Sequence, residues 1–184
     1  MAEEEKSLEQ RLVEVEGIVQ RLKKEAPNDK ISIGVISGDF DKVLAAFIIA
    51  LGACAYDMEV EMFFTFWSIA ALRDPKKKAK KSFMGKMFGW MLPKGSKKLK
   101  LSKMNMGGMG PKMIRGLMDK NGVPSLEKLI KDAGEFGVKI NICEMSMDLM
   151  GFSREEMIDY PNLTYCGVAT FISMASSSKQ AFFL

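Results

Sequence analysis

The chain has 184 residues, of which 47% are hydrophobic and 27% are charged. This composition is typical of one globular domain and not of a disordered or fibrous protein. The chain contains no histidine, which excludes Ser-His-Asp or Cys-His catalysis and imidazole ligands for a metal. Its acidic start lacks the pattern of a signal peptide, and its apolar stretches are too short to span a bilayer, so we expect a cytoplasmic protein.

Positive charge is concentrated in one segment. Residues 73–103 contain 12 Lys or Arg and a single acid, Asp74, whereas the whole chain has a net charge of only +4. Residues 73–110 are also rich in Met and Gly, which predicts an inserted lid, a binding loop or an oligomer contact. Because nearly all of these cations are Lys and no nucleic-acid module is recognisable, we expect no nucleic-acid partner. A short apolar face over 83–91 is a poor candidate for membrane-surface contact.

Strands and helices alternate along the rest of the chain. Strands are predicted at 31–36, 60–66, 138–143, 163–166 and 180–184, and helices at 4–25, 41–56, 111–120, 125–137, 144–150 and up to about 178. This alternation predicts a three-layer α/β sandwich with an open, mainly parallel sheet of about five strands. We divide the chain into an N-terminal helix, 1–28, and an α/β domain, 29–184, that carries the basic insertion at 73–110.

The N-terminal helix has an apolar stripe with coiled-coil spacing. Its members are Leu8, Leu12, Val15, Val19 and Leu22. The stripe covers about two heptads, fewer than the three or four that indicate a coiled coil. Two interpretations remain open: the stripe packs on the domain's own surface, or it forms an oligomer contact.

Ligands of open parallel sheets bind beyond the C-terminal ends of the strands. The loops 37–39, 65–67 and 167–169 and the segment after Cys143 should meet there. Candidate substrate- or partner-binding residues in the first two loops are Ser37, Gly38, Asp39, Thr65 and Trp67. No dinucleotide or P-loop motif is present, and we predict no cofactor.

The three cysteines are odd in number, widely spaced and without a CxxC motif, which argues against a disulfide framework and a metal site. Cys143 ends a predicted strand and precedes a helical turn, where backbone N–H groups and the helix dipole favour a thiolate. The alternative is that Cys143 is a small buried apolar residue. Cys166 also ends a strand and is a possible second thiol, whereas Cys54 lies in a buried helix and is predicted to be structural.

Four stretches resemble the DsrE/DsrF/DsrH-like family, and most closely its longer branch, which is often labelled "peroxiredoxin family". They are residues 63–67, 98–110, 143–151 and 167–171, within a likeness that extends over about 30–184. The resemblance implies a compact, oligomeric α/β fold that relays sulfur as a persulfide on one cysteine to a partner protein. It assigns the carrier position to Cys143. No thioredoxin-like motif supports a peroxiredoxin activity.

We therefore predict a sulfur carrier or sulfurtransferase whose partners are sulfur donor and acceptor proteins and which forms a homo-oligomer. The basic insertion would shield the persulfide and dock the partner through Lys103, Met104 and Asn105, and Met145 and Met147 would form a polarizable wall. The alternative is a non-catalytic oligomeric binding or assembly module that uses the insertion, with Cys143 structural. A small anion site at the strand ends is a third possibility.

Overall fold

One five-stranded parallel sheet organises the protein. The computed structural model describes residues 7–25, 28–77, 79 and 83–184. Its strands are β1 (Asn28–Val35), β2 (Glu59–Phe64), β3 (Lys139–Cys143), β4 (Leu163–Cys166) and β5 (Ser178–Phe183). Their order across the sheet is β4-β3-β2-β1-β5, with every neighbouring pair parallel. The predicted α/β class and open five-stranded sheet are confirmed.

Helices cover the sheet on both faces. They are α1 (Leu8–Glu25), α2 (Phe40–Cys54), α3 (Phe83–Met91), α4 (Met109–Lys120), α5 (Leu126–Glu135), α6 (Glu144–Met150) and α7 (Val168–Ser176). Helices α2 and α5 pack together on one face of the sheet, and α7 packs against β1 and β5 on the other. Helix α6 follows β3 directly and contacts a 3-10 helix, Phe66–Leu72, and α3.

The main core lies between the sheet and helices α2 and α5. Alternate residues of the strands point into it because successive side chains of a strand face opposite sides. Those that are fully or almost fully buried there are Ile31, Ile33, Val35, Val60, Met62, Phe64, Ile140 and Ile142. Each large apolar side chain buried in this way contributes about 1.5–3 kcal/mol relative to an exposed one.

Some predicted boundaries are wrong by a few residues. Strand β1 begins at Asn28 and not at residue 31, because Asn28 pairs with Ser178 of β5, which itself starts two residues earlier than expected. Strand β2 ends at Phe64 and not at residue 66, because Phe66 has a φ of 48° and starts the 3-10 helix. Asp39 occupies the N-cap position of α2 without a capping bond, since its carboxylate accepts the Ser37 hydroxyl at 2.9 Å.

The basic insertion is tied to the domain near both of its ends. The buried Arg73 guanidinium donates to Glu156 Oε2 at 3.1 Å and to the Pro93 carbonyl at 3.2 Å. Further along, Ser102 donates its N–H and hydroxyl to the Asp41 carboxylate at 2.8 and 2.6 Å. The insertion is therefore fixed to the segment after α6 near its start and to the N-terminus of α2 near its end.

Helix α3 of the insertion reaches α6 through a close backbone contact. Gly151 has a φ of 62°, and a Cβ built on it would lie 2.4 Å from the Cα of Gly85. Only glycine permits this approach. Of the apolar face predicted for α3, Met87 and Met91 are exposed, and the side chains of Phe83 and Met84 lie outside the described part of the chain.

The apolar stripe of α1 is open to solvent. Leu8, Leu12, Val15 and Val19 are between 43% and 76% exposed, and the Leu22 side chain lies outside the described part of the chain. These four side chains do not pack on the domain, so the oligomer contact stays a prediction. No helix among the described residues has the length and apolar character needed to cross a membrane.

Replacing Glu156 with Ala should destabilise the fold by about 3–5 kcal/mol, because it leaves the charge of Arg73 buried without its partner. Both side chains of this ion pair are at most 2% exposed. Urea unfolding followed by circular dichroism measures the effect. The matched control is Glu135→Ala, which removes an exposed ion pair with Lys131 and should cost about 0.5 kcal/mol or less. Equal losses of unfolding free energy in the two variants would contradict the stabilising role of the buried Arg73–Glu156 pair.

Candidate functional site

Two cysteines meet at the C-terminal edge of the sheet. Cys143 ends β3, Cys166 ends β4, and the two residues are direct partners in the parallel register. Neighbouring strands lie about 4.8 Å apart, and partners in register point to the same face. The structure therefore brings together two thiols whose proximity the sequence left open. Cys54 ends α2 just before β2 begins, and so lies at the N-terminal ends of the strands, opposite to the two other thiols.

Cys143 is enclosed in a small apolar cluster, separate from the main core, that we call the thiol cluster. It consists of Phe63, Cys143, Phe171 and Met174, with Cys166 and Ala175 packed at its border. The rings of Phe63 and Phe171 stack with centroids 5.0 Å apart. Cys143 is only 1% exposed. The thiol cluster thus lies under α7, on the face of the sheet opposite the main core.

Helix α7 is the cover of this site, and its role was missed from the sequence. Phe171 and Met174 are three residues apart, so they lie on the same side of the helix and both face the sheet. This three-residue spacing, in the helix that follows Cys166, was the sequence signal that could have predicted the cover. Gly34 makes room for the aromatic side chains, since a Cβ there would lie 2.3 Å from the Phe183 ring.

Polar groups lie beside Cys143 on the side of α6. Cys143 occupies the N-cap position of this helix, as expected from the sequence. The buried hydroxyls of Thr65 and Ser146 are hydrogen-bonded at 2.8 Å. Thr65 follows Phe64, the register partner of Ile142, and Ser146 lies in the first turn of α6. Of the residues predicted in the loop 65–67, Thr65 is therefore the one next to Cys143.

Cys166 differs from Cys143 in exposure. Cys143 is buried, whereas Cys166 is partly exposed on β4, an edge strand of the sheet. Burial raises the pKa of the Cys166 thiol above its ordinary value of 9.0; a hydrogen bond with the Thr170 side chain opposes this rise, and Cys143 and Glu144 add to it. Cys166 is therefore mainly a neutral thiol at pH 7.

A cavity of about 290 Å³ joins four of the other predicted binding residues. Ser37, Gly38, Asp39 and Trp67 line it together with residues 91–93 and Lys100 of the insertion. A Cβ on Gly38 would lie 2.5 Å from the Trp67 carbonyl oxygen, so glycine is required for the two loops to approach. The structure thus brings together the first two predicted loops, although neither Cys143 nor Cys166 lines their cavity.

Lys103, Met104 and Asn105 lie at the end of the insertion, after the bond between Ser102 and Asp41. Lys103 and Met104 are exposed, and Asn105 Oδ1 accepts the Leu101 N–H at 3.3 Å. Asn105 also lines a groove of about 430 Å³. The cations along this groove are Lys97, Lys98, Lys100, Lys112 and Arg115. Neither cysteine of the pair lines this groove.

The predicted wall of Met145 and Met147 is wrong. Met147 is buried in the main core, whereas Met145 is exposed. Residues two apart in a helix point in nearly opposite directions, so these two side chains cannot line one surface. The apolar surroundings of Cys143 come from β2 and α7 instead. Among the residues that the structure describes, no group of three or more Cys, Asp or Glu is placed to hold a metal ion.

The raised pKa of Cys166 gives a prediction for its alkylation. In a Cys54→Ser, Cys143→Ser double variant, the rate with iodoacetamide should rise about tenfold per pH unit from pH 7 and not level off below pH 9, because only the thiolate reacts. Thr170→Val should slow the reaction further, since it removes the hydrogen bond that favours the thiolate, whereas Thr170→Ser retains a hydroxyl. An alkylation rate that levels off at pH 8 would contradict a raised pKa for Cys166.

Comparison with known proteins identifies the family of the chain. Residues 27–183 match the model of the DsrE/DsrF/DrsH-like family. The chain is 47% identical over 156 residues to a Bacillus subtilis protein named "Uncharacterized protein YrkE", covering 84% of this chain and 96% of the relative. It is 31% identical over 159 residues to "Sulfur carrier protein DsrE2" of Allochromatium vinosum, covering 84% of this chain and 98% of the relative. The chain therefore belongs to the DsrE/DsrF/DrsH-like family.

Proposed function

We propose that this protein is a sulfur carrier, or sulfurtransferase, that holds sulfane sulfur as a persulfide on Cys143 and delivers it to a thiol of a partner protein. The observation that carries the proposal is the buried position of Cys143 inside the thiol cluster, in register with a second thiol. Membership of the family and the likeness to a protein named as a sulfur carrier support it.

The proposed chemistry is a thiol exchange. The Cys143 thiolate attacks the outer sulfur of a donor persulfide, the sulfur–sulfur bond of the donor breaks, and the donor leaves as a thiolate. The product is a Cys143 persulfide. The thiolate of an acceptor protein then attacks the outer sulfur and releases the Cys143 thiolate. Sulfur keeps its oxidation state throughout, so the cycle needs no external oxidant or reductant.

Burial gives the carrier a physical advantage. A persulfide reacts with any small thiol that reaches its outer sulfur, and the cell contains much glutathione. Phe63, Phe171 and Met174 enclose Cys143 and would slow the approach of such thiols. The sulfur would then leave fastest when a specific partner opens this site or reaches it through the neighbouring thiol.

The partner would dock at the C-terminal edge of the sheet. The lysine-lined groove with Lys103, Met104 and Asn105 beside it presents positive charge and adaptable methionine, which favours an acidic protein surface. Exposed Trp67 and Met145 flank the same edge. In this proposal the protein acts in the cytoplasm as a homo-oligomer, with the open stripe of α1 as one contact.

A non-catalytic assembly module is the second candidate, and the same burial of Cys143 favours it. In that case Cys143 only fills the thiol cluster, and the exposed methionines of the insertion, together with the open stripe of α1, mediate assembly. The two functions differ in one measurable property, the ability of Cys143 to acquire sulfur in the native protein.

Sulfur retention tests the proposal. The native protein is incubated with glutathione persulfide, challenged briefly with reduced glutathione, gel-filtered and analysed by intact mass and peptide mapping. We expect a gain of about 32 Da on the peptide that contains Cys143, removable by dithiothreitol. Cys143→Ser should lower the retained sulfur at least about tenfold, because no buried persulfide can form.

The control for this experiment is Cys54→Ser, which removes a thiol at the opposite edge of the sheet and should retain sulfur as the wild type does. If the wild-type protein retains no sulfur and Cys143 resists alkylation in the folded state, the carrier function is wrong and the assembly module is favoured.

A further inference from the structure

The structure contains a second thiol, Cys166, to which the carrier mechanism above assigns no defined step. We propose that Cys166 is the catalytic thiol that exchanges sulfur with partner proteins, and that Cys143 is the internal store to which Cys166 hands the sulfur. This inference rests on the proposed function. It assigns to the two cysteines different roles within one site.

Proximity is the first support. Cys143 and Cys166 are register partners at the ends of β3 and β4. Partners in neighbouring parallel strands have Cα atoms about 4.8 Å apart and side chains on the same face. A sulfur atom bound to one thiol is thus within reach of the other without movement of the backbone. The two strand ends are held in place by the sheet, so this alignment is built into the fold.

Exposure is the second and independent support. Cys143 is in β3, between β2 and β4, and α7 covers it, leaving 1% of it exposed. Cys166 is in the edge strand β4 and is partly exposed. A protein thiol can approach an edge strand from the side, whereas the way to Cys143 is closed by Phe171 and Met174. The accessible thiol and the protected thiol are therefore adjacent but distinct.

Two transfers of the outer sulfur make up the relay. The Cys166 thiolate attacks the outer sulfur of the donor persulfide, and the donor thiolate leaves, which gives a Cys166 persulfide. The Cys143 thiolate then attacks that same outer sulfur, the sulfur–sulfur bond at Cys166 breaks, and Cys166 returns as a thiolate. One sulfur atom moves twice, and no electrons are gained or lost overall. Delivery to an acceptor follows the same steps in reverse.

The surroundings of Cys166 keep its thiol protonated between transfers. Burial is the main cause that raises its pKa, and Cys143 and Glu144 add to the rise. The Thr170 side chain, in the first turn of α7, acts in the opposite sense and favours the anion when Cys166 is the nucleophile or the leaving group.

The experiment compares loading rates from a large donor and a small one. Persulfidated serum albumin and inorganic polysulfide are each mixed with wild-type protein, Cys166→Ser and the control Cys54→Ser. Sulfur on the Cys143 peptide is followed by alkylation, proteolysis and mass spectrometry. From albumin we expect Cys166→Ser to load Cys143 at least about tenfold more slowly than the other two proteins, with a smaller loss for polysulfide, because only the large donor requires an exposed thiol.

A second measurement does not depend on the folding of the Cys166 variant. In Cys143→Ser the relay is blocked after its first step, so alkylation without a glutathione challenge should trap the sulfur on the Cys166 peptide. Equal loading of Cys143 by wild type and Cys166→Ser from albumin would overturn the inference while leaving the carrier function intact. So would a Cys143–Cys166 disulfide with release of hydrosulfide, which requires attack on the inner sulfur. Wild-type protein that never carries sulfur on Cys143 would instead contradict the proposed function itself.

Discussion

The parallel pairing of β3 with β4 determines how the two thiols of the candidate site meet. Both strands run in the same direction and end level with each other, so their last residues, Cys143 and Cys166, become neighbours. A shift of one residue in either strand would turn that strand's cysteine to the opposite face of the sheet. The hydrogen bond from the Thr164 hydroxyl to Asn141 Oδ1, at 2.5 Å, connects the two strands two residues earlier and supports this register.

The two faces of the sheet are covered unequally, and this asymmetry creates the site. Helices α2 and α5 bury one face in a continuous core, whereas the short helix α7 packs against the other face. It covers the C-terminal ends of the strands, where Phe63 and Cys143 lie. Toward the N-terminal ends of the strands the same face of the sheet is charged, and Lys139 donates a hydrogen bond to Glu61 there. The thiol cluster is thus a small apolar region between the sheet and one short helix, and such a region can open more easily than a main core.

The basic insertion is part of the fold where it is described, despite its excess of lysine. Arg73 and Glu156 form a buried ion pair at its start, and Ser102 bonds to Asp41 near its end. The glycine contact between α3 and α6 attaches its middle to the helix that begins after Cys143. These three attachments hold the described part of the insertion against the domain. Lys97, Lys98 and Lys100 thereby line one groove with Lys112 and Arg115.

Much of this protein could be predicted from its amino-acid pattern. Predicted strands such as 138–143 have apolar residues at alternate or consecutive positions, and predicted helices such as 125–137 have them at every third or fourth position. Together these patterns predict the α/β class and the five strands. Because parallel strands bring their C-terminal ends to one edge, the pattern also places Cys143 and the loop 37–39 at the same edge. These features follow from local spacing, which a single sequence contains.

Only the tertiary structure decided which groups touch. The sequence assigns no order to the strands, so it could not establish that Cys166 is in register with Cys143 or that Cys166 lies in an edge strand. The burial of Met147 in place of Met145 and the cover provided by Phe171 likewise depend on how helices α6 and α7 are rotated against the sheet. Burial and pairing result from contacts between residues far apart in the chain, and local spacing alone does not determine them.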